Sequence, residues 1–100
     1  MVIQRIYLST KIGKIKDMRE LMVAWREAHP FPVAKSTRYF QDDIGAPPST
    51  IIVDLEFESL ADLEKGWDTW NEKAEEMAEY FNRMNANLSQ PLRSELWDDF

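Results

Sequence analysis

Apolar and polar residues follow two different periods along this chain, and the switches between them mark its elements. In Thr50–Ser59, the residues Ile51, Val53, Leu55 and Phe57 recur at every second position and share one face of a strand. Ile52, Asp54 and Glu56 share the other face, so one side is wholly apolar and the other mixed. Ser59 then stands as a helix N-cap, with Asp62 three residues on, where the acid of a capping box sits. Val2–Leu8 predicts a first strand, with Val2, Ile6 and Leu8 opposed to Ile3, Arg5 and Tyr7. After a turn over Thr10–Gly13, the spacing of Ile15, Met18, Leu21, Met22, Trp25 and Ala28 predicts an amphipathic helix. It is expected to end near His29, because Pro30 and Pro32 cannot continue it. Val33–Gln41 reads as a second strand whose weak alternation and Lys35 suit a sheet edge; the pattern leaves open which face is buried and where Arg38 points. Asp43–Ser49 reads as a loop by its Gly and Pro content.

The longest periodic segment follows. Leu60, Leu63, Trp67, Trp70, Ala74, Met77, Phe81, Met84 and Leu88 are separated by steps of three and four and lie along one stripe. An unbroken helix over that span is about 43 Å long, whereas an eight-residue strand spans about 26 Å. The helix is therefore expected to break, between Gly66 and Asn71, or to pack its far half on something other than its own sheet. Leu92–Asp98 reads as a last strand after Pro91. The order β-α-β-β-α-β with right-handed crossovers gives an α+β, ferredoxin-like fold: a four-stranded antiparallel sheet with two helices on one face, in one domain over 1–100.

Composition narrows the function classes. A 44% hydrophobic and 30% charged chain has the balance of a folded, soluble protein. The net charge of −6 argues against nucleic acid as a partner, and Lys11, Lys14, Lys16 and Arg19 read as a solvated basic end of the first helix. No apolar run is long enough to span a membrane and no signal segment opens the chain, so a cytoplasmic location is expected. With no cysteine there are no disulfides, thiolate metal sites or cysteine nucleophiles. Glycine-rich phosphate loops, nucleophile elbows and zinc motifs are also missing. Asn87-Leu88-Ser89 matches a glycosylation sequon, and without a secretory signal it reads as chance.

One sheet face remains uncovered in this arrangement. Ile3, Arg5, Tyr7, Ile52, Asp54 and Glu56 make it too apolar for water and too charged for an ordinary core, and two such faces placed together would cover each other. The element order, the Gly13-Lys14-Ile15-Lys16-Asp17-Met18 approach to the first helix and the Val53-Asp54-Leu55-Glu56-Phe57-Glu58-Ser59-Leu60 passage together resemble the dimeric α/β-barrel superfamily. That superfamily includes antibiotic-biosynthesis monooxygenases, NIPSNAP-like proteins and stress-responsive A/B-barrel domains. The resemblance implies a homodimer formed through the open sheet face and a small hydrophobic ligand held between sheet and helices. Haem-binding members use a helix histidine; the long second helix here has none, so no cofactor is expected.

Candidate chemistry divides into three sets. Asp54 or Glu56 could act as a general base, with Arg5 and Tyr7 stabilising an enolate or phenolate; the same four could equally form a salt-bridged lining or a dimer contact. His29, the sole histidine, could take a proton, or it could be a structural residue at a helix C-terminus. Trp25, Trp67, Trp70 and Met22 could wall a pocket for a flat ligand and could equally be core, while Arg38 could join either arrangement of the first set, as a substrate contact or a lining residue, if its face points inward. Glu72, Glu75, Glu76 and Glu79 read as a solvated face, and no metal is expected. The resemblance implies a small cofactor-independent enzyme, of oxygenase, isomerase or cyclase type, acting on an aromatic or polyketide-like molecule. The alternative is a non-catalytic ligand-binding or assembly module.

Overall fold

The computed structural model describes residues 1–42 and 49–99. Its elements are β1 (Val2–Ser9), α1 (Ile15–Ala28), β2 (Ser36–Gln41), β3 (Thr50–Phe57), α2 (Leu60–Glu72), α3 (Ala78–Asn87) and β4 (Arg93–Asp98). The strands form one antiparallel sheet in the order β2-β3-β1-β4, the ferredoxin-like arrangement that the alternation predicts. All but Ser49 of the loop read over Asp43–Ser49 lies outside the described residues.

Register decides which side chains meet. Val2 lies opposite Phe57, Ile6 opposite Val53 and Leu8 opposite Ile51, so the apolar sets of β1 and β3 coincide on one face. Leu8, Ile51, Leu55 and Phe57 are buried there beneath Met18, Leu21 and Trp25 of α1. A slip of one residue would turn Asp54 and Glu56 into this core, which is why the register is firmly specified.

Helix ends follow local chemistry. His29 caps α1 and donates its backbone N–H to the Trp25 carbonyl at 2.8 Å. At the start of α2 the Ser59 hydroxyl oxygen accepts from the Asp62 N–H at 3.2 Å. Two strand starts shift from their predicted places. β2 opens at Ser36 rather than Val33, because Val33 has φ 67°, a left-handed conformation no strand contains and a β-branched residue rarely adopts. β4 opens at Arg93 rather than Leu92.

The long stripe does break, but after Glu72 and not between Gly66 and Asn71. Lys73, Ala74 and Ala78 donate to carbonyls only three residues back, tightening the chain between α2 and α3. Glu72, Glu75, Glu76 and Glu79 stand at i, i+3, i+4 and i+7, and repulsion along that row weakens a regular helix where the turn occurs. The turn lets α3 fold back against α1 and brings Met77 into the core, fully buried.

Gly66 serves close packing instead of a break. A Cβ there would stand 2.8 Å from the Pro32 carbonyl oxygen and 3.1 Å from the rings of Phe31 and Phe57. For Gly66→Ala, better helix propensity contributes about 1 kcal/mol, while overpacking costs about 1–3 kcal/mol. Because the nearest atom is backbone, overpacking is expected to win. A lower urea midpoint with an unchanged m-value is the expected result; an unchanged or higher midpoint would show that the Phe31–Pro32 turn yields freely.

Candidate functional site

Trp25 organises the space between the helices and the sheet. Its ring stacks on Trp70 at 5.7 Å and on Tyr80 at 5.5 Å, and meets Phe81 edge-on at 4.8 Å. The indole N–H donates to the Met77 sulfur at 3.2 Å. Phe31, held in the turn before β2, packs on Trp67 and Trp70 at 4.9 and 4.8 Å. Trp67 in turn donates its N–H to Gln4 Oε1 at 2.5 Å. These aromatic groups and the sheet line a partly open cavity of about 150 Å³ walled by Met22, Trp25, Phe31, Trp67, Trp70 and Phe81.

Three polar side chains reach this cavity: Arg26, His29 and Tyr39. Tyr39 lies on the helix-facing side of β2, opposite Val53. Burial pushes its phenol above the ordinary value of 10.0, with the charge of Arg26 pulling the other way. The Arg26 guanidinium carbon lies 4.8 Å from the Tyr39 ring centre. His29 meets Tyr80 edge-on at 5.7 Å. An apolar chamber with a few convergent polar groups is the usual form of a small-molecule site.

The other sheet face carries a second constellation. Arg5 grips Asp54 with two hydrogen bonds, Nε to Oδ1 at 2.8 Å and Nη2 to Oδ2 at 2.9 Å. That pairing raises the Arg5 pKa, first by the hydrogen bond and then by the charge. Tyr7 donates its hydroxyl to Glu95, and Ser36 donates to Glu56 at 2.5 Å. The Arg93 guanidinium lies 4.1 Å from the centre of the Tyr7 ring. Across the four strands the register aligns Arg38, Asp54, Arg5 and Glu95 in one row of alternating sign. Phe40 and Trp97 stand on the same face, 45% and 55% exposed.

The sheet therefore divides the residues picked out from sequence. Met22, Trp25, Trp67 and Trp70 wall the cavity, and His29 joins them. Arg5, Tyr7, Asp54 and Glu56 lie on the opposite side, so one ligand in this cavity cannot touch both sets. Arg38, whose direction the pattern left open, lies beside Asp54 on the open face and so stands with the Arg5, Tyr7, Asp54 and Glu56 set. Sequence reasoning missed Tyr39, Arg26, Phe31 and Gln4. Gln4 did carry a signal, being the one polar residue in phase with Val2, Ile6 and Leu8; Phe31 sits between two prolines, where no periodicity speaks.

Among the described residues no group of three or more His, Cys, Asp or Glu is placed to hold a metal ion, and no helix is long and apolar enough to cross a membrane. No protein-family model matches the chain, and no curated protein matches it. Solved structures do match. A NIPSNAP family protein of Agrobacterium tumefaciens superposes with TM-score 0.82 at 18% identity, covering 99% of this chain and 92% of that one. An antibiotic-biosynthesis-monooxygenase-like protein of Nitrosomonas europaea gives 0.75 at 13% identity, with 99% and 98% covered. An antibiotic biosynthesis monooxygenase structure gives 0.73 at 18%, with 100% and 99% covered. From end to end, then, this chain has the fold of the NIPSNAP and antibiotic-biosynthesis-monooxygenase-like structures.

Proposed function

We propose that this protein is a small homodimeric enzyme that needs no cofactor and removes a proton from an aromatic molecule bound between helices and sheet. The observation that carries the reading is the aromatic-walled cavity with His29 and Tyr39 at its wall. In this mechanism the ring of the ligand lies among Trp25, Trp67 and Trp70. The His29 imidazole accepts a proton from an acidic C–H or O–H of the ligand, leaving an enolate or phenolate. Tyr39, kept neutral by burial, donates a hydrogen bond to the oxygen where negative charge collects. That step is common to isomerisation, cyclisation and oxygenation, the last of which requires dioxygen as co-substrate. A cavity of about 150 Å³ suits a one-ring ligand, since an engineered void of roughly 150 Å³ takes up benzene; the polyketide-like end of the range is too large for it.

The test is solvent deuterium exchange into 2-indanone, a one-ring ketone with acidic benzylic hydrogens, followed by NMR. Exchange faster than in buffer, saturating with 2-indanone and inhibited by indane, is the expected result. Exchange no faster than in buffer, with no binding of either compound, would refute the reading.

The open face supports the homodimer. Its acids are already bonded to Arg5, Tyr7 and Ser36, which favours the lining role over that of a free base. A two-fold axis lying along the strands reverses the row Arg38–Asp54–Arg5–Glu95, so that each cation faces an anion of the second copy. Phe40 and Trp97 gain cover in the same contact. Arg5→Glu places two acids side by side and is expected to convert a dimer to monomer in native mass spectrometry while far-UV circular dichroism is retained. A variant that stays dimeric would place the interface elsewhere.

A further inference from the structure

Beside the cavity, between α1 and the edge strand β2, runs a groove of about 350 Å³ that the proton-transfer reading does not use. Its wall includes Arg19, Arg26 and Gln41. The two arginines lie seven positions apart on α1, two turns along one side of the helix. Among the described residues neither is in an ion pair, although the chain carries a net charge of −6. Arg19 donates a long hydrogen bond, 3.4 Å, to Gln41 Oε1, and Arg26 lies against the Tyr39 ring. Of the three acids of α1, Asp17 pairs with Lys14 at 3.6 Å, and Glu20 and Glu27 line an adjoining surface hollow that shares Arg19; none of them walls the groove.

Groove and cavity share Met22, Arg26 and Tyr39, so an apolar chamber and a cationic channel meet at those three side chains. An arginine fork binds a carboxylate through two parallel N–H donors, and two forks in register define a direction leading out of the chamber. We infer that the ligand is an aromatic acid: its ring occupies the cavity, and its carboxylate, on a short chain, lies in the groove against Arg26 and within reach of Arg19. This rests on the cavity being the binding site and adds the class of molecule it selects. The anion also fixes which edge of the ring is presented to His29 and Tyr39.

The probes are 3-phenylpropanoate and its neutral amide, titrated by isothermal calorimetry and by tryptophan fluorescence into the wild-type protein and into the double variant Arg19→Gln/Arg26→Gln. The acid is expected to bind wild type about tenfold more tightly than the amide at low salt, a difference equal to about 1.4 kcal/mol. That preference should shrink as salt screens it and vanish in the double variant. Equal binding of acid and amide to wild type, or a preference that survives in the double variant, overturns the groove while leaving the cavity intact. Binding of neither probe overturns the cavity reading and the groove with it. A double variant that has lost its circular dichroism spectrum is replaced by Arg26→Lys, which keeps the charge but not the fork and is expected to retain only part of the preference.

Discussion

Trp25→Ala is expected to remove about 3–5 kcal/mol of stability, the range for losing a buried aromatic side chain. Only 6% of Trp25 is exposed, and four partners depend on it: Trp70, Tyr80, Phe81 and the Met77 sulfur. These partners come from α2, α3 and the turn between them, so the indole ties α1 to both sides of the break in the stripe. The void it leaves would also merge with the adjacent cavity, and the walls on both sides would lose contact atoms at once. A domain of this size holds roughly 5–15 kcal/mol in total, so the variant sits near the edge of folding at 37 °C. Urea unfolding supplies the measurement. Trp25→Phe, which keeps a ring and loses the N–H···S contact, should lose no more than about 1–2 kcal/mol. If Trp25→Ala costs less than about 1 kcal/mol, the aromatic cluster is a lining that tolerates repacking and the fold is held by the sheet.

That central role was legible only in part from the chain. The stripe that includes Met18, Leu21, Met22 and Trp25 shows helical periodicity, and the alternation in Thr50–Phe57 gives β3 its two faces; both elements formed where the pattern put them. Patterns of period two or 3.6 report which face a residue joins, because burial acts on faces. They do not report what lies across a sheet. Asp54 and Trp67 are thirteen positions apart and both suit a site, yet a layer of backbone separates the open face from the cavity. Tyr39 and Arg38 show the same limit more sharply, since they are adjacent in sequence and on opposite sides of β2. The position of the helix break was not readable from Gly66, whose lack of a side chain serves a close approach to Pro32. It was better marked by the glutamate row.

His29→Gln is expected to lower the protein-catalysed part of 2-indanone exchange by about 10²–10⁴, the usual contribution of one positioned general base. Glutamine preserves size and polarity and leaves the backbone N–H that caps α1 untouched, so the fold should survive and the loss should appear in the rate at saturation. Tyr39→Phe should cost about 10²–10³, as for the removal of one oxyanion donor. Its pH behaviour gives a second check. Burial holds the folded Tyr39 phenol above its ordinary value of 10.0, so the donor remains protonated as pH rises to that point and the wild-type rate should not fall before it. The same shift has a sign for stability: the unfolded chain releases this proton first, so the contribution is complete below pH 10 and declines as pH climbs through the higher folded value. The opposite face supplies the competing outcome. Should Asp54→Asn and Glu56→Gln together abolish exchange while His29→Gln leaves it intact, proton abstraction belongs to the space between two sheets, and the aromatic cavity is reduced to a place where the helices fail to close on the sheet.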